Sequence, residues 1–592
     1  MNQTSTTRNR ISTQPSLTMH TIRTLFGRTS LLTGLAVGLA VLYACKSPLD
    51  IEPPFEVPTE EALSTTENLE SALNGAYNAA VSGAALGGGL RLFPDVLSDH
   101  TSSNIFAVTR GNLPANLQNM YRRLLFGVAD PTWRSCYQAI NRANNILAAI
   151  DKGYVKNQDG VYAANVGRIR GEALFLRAVM HFELCRMYGI QYGEPGYDDP
   201  NGQRGVIIST TASENRNGAI RSSTKEVYDQ VLQDLRAAAT LMPEERGGVA
   251  PGFLPAYGGI KGGRATKMAA YAYLSRVYFQ QGTDLGNDSA LHYINLVLPA
   301  PNTLAIRGLL DDYIAPNGVN LAENDPNSFN LRGFESAKET IFQVVNTVDE
   351  ATGTFNTSNN LITSSYVWST ANAQFPSYFL TSKQFFDDAG YNIDGGADKR
   401  YSFFTKPLPT DLSGVTSCPL DRSNSKVVGK YFFRSLPSPF DPTIGVVNIV
   451  VNRLSELIIT RAEINAYRGN VSAALEDVNA LRRRAFGVPN TSTSVDIPSS
   501  LPVADIVRKI RQERIREMAF EGDRLYNMRR MARLFENGVP TGLTETRNNF
   551  LLTNTDRTQC ERVLVNIHVN DPQLLFQIPD AELSSNPNIR RN

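Results

Sequence analysis

Histidine, tryptophan, cysteine and net charge are all scarce in this chain, and each scarcity removes a class of function. The five histidines (His20, His100, His181, His292 and His568) never stand four apart, so the two-histidine zinc helix is missing. Lysine and arginine (58) nearly balance aspartate and glutamate (57), leaving a net charge of +1. That gives no basic face for counterion release, which argues against a nucleic-acid partner. Cysteine is confined to Cys45, Cys136, Cys185, Cys418 and Cys560, with no Cys-x-x-Cys pair and too few residues to frame 592 with disulfides. Only two tryptophans occur, so a long glycan held by many indole platforms is disfavoured. The 23 tyrosines keep sugars in play, and the balance shifts slightly toward peptide. No Gly-x-Ser-x-Gly elbow is found, and Gly87-Gly88-Gly89 lacks the Lys-Ser/Thr of a phosphate loop, reading instead as a turn. Past residue 44 no apolar run reaches transmembrane length.

What is present begins with a leader. Arg23 and Arg28 precede the apolar stretch Leu31 to Leu42, which ends in Tyr43-Ala44-Cys45. A short apolar run, a small residue and then cysteine form a lipoprotein signal, with Cys45 as the acylated residue. Tyr43 departs from the small residue usual there, and the alternative is a plain secretory signal with an incidental cysteine. Met19 is an alternative start to Met1, since residues 1–18 lack signal character. A multiply acylated N-terminus anchors stably to a membrane.

Six segments follow from composition: a signal peptide (1–44), an extended tether (45–60), a helical part (61–300), a loop-rich region (301–450), a second helical part (451–545) and a loop-rich end (546–592). The tether carries four prolines and no helical period. Ile169, Ala173, Leu176, Met180, Leu184 and Met187 recur three or four apart, a helix stripe. Val227, Val231, Leu235, Ala238 and Met242 repeat the pattern up to Pro243. Ala265 to Arg276, Leu454 to Ala462, Val471 to Arg484 and Ile506 to Phe520 mark further helices. Their pairing and small-residue faces suit a tetratricopeptide-like solenoid. The loop-rich region holds ten prolines between Pro301 and Pro442 with two β-like runs, Ile341 to Val345 and Val446 to Val451. Long irregular segments inside an ordered body are where binding loops occur.

Several blocks resemble the SusD/RagB family of lipid-anchored nutrient-binding proteins. They are Leu49 to Pro53, Leu69 to Tyr77, Asp95 to Asp99, the set Trp133, Tyr137, Ile140 and Asn144, Gly171 to Ala178, Glu513 to Arg524, and Ile578-Pro579 with Glu582, Asn586 and Pro587. Their order is kept along most of the chain. The resemblance implies a mostly α fold: about four tetratricopeptide-like helix pairs with an irregular, loop-rich ligand-binding insertion containing short strands. It implies a site on the outer membrane facing the exterior, and a partner, a SusC-like TonB-dependent outer-membrane barrel. It also implies that the loop His100 to Arg110, with Asn104, Phe106 and Arg110, contacts ligand.

The strongest blocks read as structural. Arg514, Glu517, Glu521 and Arg524 stand three or four apart, as a charge ladder on one helix face would. Glu172 and Arg177 interrupt an apolar helix, so each needs a buried partner. Cys136, Cys185 and Trp133 sit within helical patterns as core. Cys418 and Cys560 lie in loop-like sequence, and a bridge between them would need Cα atoms within about 7 Å.

For chemistry, Asp95 with Asp99, or Asp387 with Asp388, offer the two carboxylates of a glycosidase, yet capping and surface roles are the simpler reading. Asp394, Gly395, Gly396 and Asp398 lack EF-hand spacing, so calcium is unsupported and a turn is expected. No catalytic residue, metal ligand or cofactor is assigned. Binding of oligosaccharide, or of peptide, calls for aromatic faces beside amides. Trp368 is the leading candidate, with Tyr366, Phe375 and Tyr378 near it and Asn359, Asn360 and Asn372 supplying amides. Two readings compete with a binding lipoprotein: a surface glycan hydrolase, and a helical scaffold with no small ligand.

Overall fold

A computed structural model describes residues 59–103, 117, 119–120, 125, 127–156, 161–212, 218–244, 263–310, 339–345, 348–349, 354–355, 379–391, 397–404, 426, 428, 449–534, 542–548, 562–568 and 571–592. Cys45, Cys418, Cys560, Asp394 and the candidate ligand contacts Asn104, Phe106, Arg110, Tyr366, Trp368, Phe375 and Tyr378 lie outside these residues. The chain divides after Thr59, and Glu60–Asn592 forms one compact unit.

Helix α1 (Thr66–Ala80) starts at Thr65, whose hydroxyl accepts the Asn68 N–H at 3.2 Å. Helix α2 (Gly89–Leu97) is wholly buried and leads into strand β1 (Thr101–Ser103). Helix α3 (Asp130–Asp151) carries a proline in its first turn, where no N–H is lost. Helix α4 (Val161–Tyr188) is the longest, and helix α5 (Thr224–Leu241) opens with a Ser223–Glu226 capping box and ends before Pro243. Gly171 lets α4 approach the end of α5, because a Cβ there would lie 2.8 Å from Met242 Cγ. Helices α6 (Lys267–Gln281) and α7 (Asp284–Val297) form a tight hairpin: Gly282 takes a left-handed φ of +65° and Thr283 caps α7.

Helix α8 (Thr303–Gly308), strands β2 (Thr340–Val344) and β3 (Phe379–Thr381) and helix α9 (Lys383–Ala389) come from the loop-rich region. Strand β4 (Ile449–Arg453) runs directly into helix α10 (Leu454–Tyr467), followed by α11 (Val471–Phe486), α12 (Val503–Glu517) and α13 (Arg524–Leu534). A final antiparallel ribbon joins β5 (Gly542–Asn548) to β6 (Arg562–His568).

The fold is mostly helical. Four pairs, α1/α3, α4/α5, α6/α7 and α10/α11, stack in succession, α3 on α4, α5 on α6 and α7 on α10. This is the expected tetratricopeptide-like arrangement. Helices α6 and α10 lie inside it, and nearly every residue of both is buried. The two β-like runs seen in the sequence pair with each other: β2 lies antiparallel to β4, with Gln343 opposite Val450. Cys136, Cys185 and Trp133 are core residues, and burial raises the Cys185 thiol to about 12.

The charged motifs are buried and paired. Glu172 accepts the Tyr77 hydroxyl at 2.8 Å and pairs with Arg168 and Arg264. Arg177 forms a bidentate pair with Asp234 at 2.7 and 2.8 Å. Glu517 gathers Arg400 (2.9 Å), Arg453 (2.5 Å) and Arg484 (2.5 Å), which hold its carboxyl well below the usual range although burial pushes the other way. The charge ladder is corrected. Helix α12 stops at Glu517, Phe520 turns left-handed at φ +58°, and the four residues find partners outside the helix, Glu517 and Glu521 sharing Arg453. Arg514 pairs with Asp523, Glu521 with Arg453, and Arg524 with Asp99 and Asp388.

Candidate ligand-binding site

The exit from α2 builds the base of the site. Ser98 ends the helix, and Asp99 and His100 then carry the chain into β1. Strand β1 pairs antiparallel with β3, placing Thr101 opposite Thr381, Ser102 opposite Leu380 and Ser103 opposite Phe379. Ser382 locks this ribbon in three ways. Its N–H donates to the His100 carbonyl (2.9 Å), its hydroxyl donates to the Asp99 carbonyl (2.6 Å), and the same oxygen accepts the Phe385 N–H (3.1 Å), capping α9. A third segment joins: the Thr381 N–H donates to the Lys426 carbonyl, and the Lys426 N–H returns to the Thr381 hydroxyl, both at 2.9 Å.

Under the ribbon lies a cluster of charges. Arg524, at the start of α13, donates to both oxygens of Asp99 (2.9 and 2.8 Å) and to Asp388 on α9 (2.8 Å). His100 Nε2 lies 3.2 Å from the same Asp388 oxygen. Asp99, His100 and Asp388 bring three potential metal-ligating atoms within 4.8 Å of one another. The Arg524 guanidinium already supplies the cation they would otherwise need. Burial raises the Asp99 pKa, but Arg524 and His100 outweigh it and hold the carboxyl at about 2. Four residues earlier, Asp95 is driven the other way: burial lifts it to about 8 against the opposing N–H of Gly522, 3.0 Å away.

An aromatic floor completes the base. The Phe385 ring lies 4.8 Å from Phe404, 5.1 Å from Phe520, 5.3 Å from both Phe386 and His100, and 5.9 Å from Tyr391, mostly edge to face. These rings are buried, so they support a surface and do not form one.

The carboxylates offered for glycosidase chemistry are accounted for by structure. Asp95 and Asp99 are 2% and 4% exposed and each is engaged as above. Asp388 shares Arg524, and Asp387 pairs with Lys383 at 2.5 Å. Asp398, offered for calcium, gives both oxygens to Arg400 (3.0 and 2.7 Å). Sequence reasoning missed Ser382, Phe385 and the His100–Asp388–Arg524 cluster. A serine three residues before Phe385 is a cap signal, but no local pattern joins His100 to Asp388.

A family model described as "Starch-binding associating with outer membrane" matches residues 49–279, and one described as "SusD family" matches residues 418–592. The chain belongs to the SusD/RagB family. Solved structures agree on the fold. A SusD superfamily protein from Bacteroides thetaiotaomicron is 19% identical, covering 89% of this chain and 99% of its own, with a TM-score of 0.63. A putative sugar binding protein from Bacteroides vulgatus is 20% identical over 90% and 99%, with a TM-score of 0.60. A SusD-like carbohydrate binding protein from the same organism is 19% identical over 89% and 97%, also at 0.60. A search of curated proteins found no match. The SusD-like blocks read from the sequence, Gly171 to Ala178 and Glu513 to Arg524, fall within the two matched spans.

Proposed function

We propose that this SusD-family protein is a lipoprotein on the outer-membrane exterior, anchored through acylated Cys45. It binds oligosaccharide and passes it to a SusC-like TonB-dependent barrel. The observation that carries the reading is the β1–β3 ribbon. Strand pairing sets Ser103 beside Phe379, so the segment bearing Asn104, Phe106 and Arg110 leaves from the same end at which the segment bearing Tyr366, Trp368, Phe375 and Tyr378 arrives. Two stretches about 270 residues apart in the sequence thereby begin on neighbouring strands, as a composite site needs. Aromatic residues from one stretch and amide and guanidinium groups from the other are the chemistry that packs on and hydrogen-bonds a sugar. The starch-binding description of the matched family and the sugar-binding titles of two solved relatives support the same ligand class. Among the described residues no helix is long and apolar enough to cross a membrane, and this reading assigns attachment to the lipid.

Affinity electrophoresis of the mature protein against a polysaccharide panel tests the proposal. Retardation by at least one glycan is expected, falling at least tenfold in Trp368→Ala and abolished by deletion of 355–380. Retention of peptides but of no glycan would move the ligand class to peptide. Unchanged glycan retention after the deletion would remove the ribbon end as the site.

A further inference from the structure

The segment that follows α4, residues 189–205, closes on itself and forms one wall of a pocket that shares no residue with the β1–β3 ribbon. Its two ends are tied where the Ile190 N–H donates to the Arg204 carbonyl (3.0 Å), and the Glu194 N–H donates to the Gln191 carbonyl (3.1 Å) between them. Tyr192 fastens the segment to the scaffold, with its ring 4.6 Å from Tyr197 and 5.0 Å from Tyr228 on α5. The Gln191 amide is committed to Gln280 on α6, at 2.7 and 2.9 Å. Against this braced segment stand Arg529 of α13 and Leu575, enclosing about 160 Å³. Pro195 and Arg204 are exposed at the rim.

The charge around this pocket is not balanced. Arg529 is 2% exposed, and its guanidinium donates to the carbonyls of Arg186 (2.9 Å) and Leu574 (2.6 Å). Carbonyls orient the group without cancelling its charge. Burial lowers Arg529 to about 10, and neighbouring Arg186 acts in the same direction. Arg221, 1% exposed beside the same segment, is held likewise by the carbonyls of Gly205 (2.9 Å), Tyr188 (3.1 Å) and Arg590 (3.0 Å). Burial lowers it to about 10 as well, with Arg204 adding to the effect. Of the residues that line the pocket, Arg204 and Arg529 are cationic and Glu194 is the one acid.

A guanidinium set in a pocket wall takes an oxyanion through two parallel N–H groups. The volume is well above the ~15 Å³ that one water needs and below the ~300 Å³ of a drug-sized pocket, which leaves room for one small ring. Ile190, Pro195 and Leu575 offer apolar wall for the C–H face of such a ring, and Glu194 can accept from a hydroxyl. We propose that this pocket is a second glycan subsite, holding one acidic sugar unit with its carboxylate or sulfate against Arg529 and Arg204. The choice of a sugar over another small anion rests on the sugar-binding reading above; the choice of an acid rests on the arginines.

Calorimetric titration of the mature protein with glucuronate, glucose 6-sulfate, glucose and acetate tests this. At least one acidic sugar is expected to bind about tenfold more tightly than glucose or acetate. Glucuronate alone would make the anion a carboxylate, glucose 6-sulfate alone a sulfate ester, and either result supports the site. Arg204→Gln, at an exposed position that spares the fold, should weaken the acidic sugar about threefold or more. Glu194→Gln should strengthen it, because repulsion is lost while the amide oxygen still accepts a hydroxyl. Deleting 355–380 should leave this binding unchanged, so the subsite and the ribbon end stand or fall separately. No saturable binding of either acidic sugar, acetate binding as tightly as they do, or affinity indifferent to both substitutions would each overturn the proposal. Loss of acidic-sugar binding on the deletion would overturn it too, by moving that sugar to the ribbon end.

Discussion

At the scale of single residues, Asp95 and Asp99 show how burial and partner divide two like groups one helical turn apart. Asp99 has a guanidinium and sits near pKa 2; Asp95 has one peptide N–H and sits near 8. The pH consequences are opposite in sign. Asp99 is more acidic folded than unfolded, so its contribution is complete above about pH 4 and is lost as pH falls toward 2. Glu463, held at about 2 by Arg530 and Arg511 in spite of burial, adds to the same acid loss. Asp95 binds its proton more tightly when folded, so the native state is penalised progressively as pH rises from about 4 to 8. Asp95→Asn keeps an oxygen for the Gly522 N–H and removes the titration. It should match wild type in urea unfolding near pH 4 and exceed it at pH 8.5, by up to about 5 kcal/mol. Parallel pH profiles for the two proteins would show that Asp95 does not titrate in this window.

At the scale of elements, the β1–β3 ribbon depends on Ser382. Replacing it with alanine removes the cap of α9 and the bond to the Asp99 carbonyl together, an expected loss of about 1–2 kcal/mol. Amide exchange at Thr381 and Ser382 should accelerate, with glycan retention falling in parallel. Normal exchange protection in Ser382→Ala would mean that backbone pairing alone holds the ribbon. The same scale shows what the sequence could tell. Helices α4, α5, α6, α10 and α11 were legible because their apolar residues recur every three or four positions. The runs that became β2 and β4 were legible as strands, but not as each other's partners, because pairing across about 100 residues leaves no local trace. The end of α12 was misjudged: apolar spacing continues to Phe520, and only the left-handed turn there, followed by Gly522 at φ +75°, breaks the helix. Gly522 is also where a Cβ would come within 2.9 Å of the Arg91 carbonyl oxygen, so backbone proximity as well as torsion requires glycine. The site was legible only as two unlinked aromatic and polar stretches, since what joins them is one three-residue pairing and one arginine, Arg524.

At the scale of the whole molecule, near-neutral charge conceals an interior crowded with ions. Arg400, Arg453, Arg461, Arg484 and Arg530 are among the largest fully buried side chains, each with a carboxylate partner. Such pairs add little net stability over apolar packing, but losing one partner strands a charge. They explain why the motifs that identify the family describe the scaffold and leave the ligand open. The proposed membrane attachment is a separate matter, because Glu60–Asn592 forms its own compact unit. Cys45→Ser removes the proposed acyl acceptor without touching that unit. Radiolabelled palmitate should then fail to attach, and the protein should leave the membrane fraction. Glycan affinity measured on the purified body should stay within twofold of wild type, because the ribbon and its charge cluster lie wholly beyond residue 60. A Cys45→Ser protein that still pellets with membranes after a carbonate wash would mean that something other than an acyl chain on that sulfur does the anchoring.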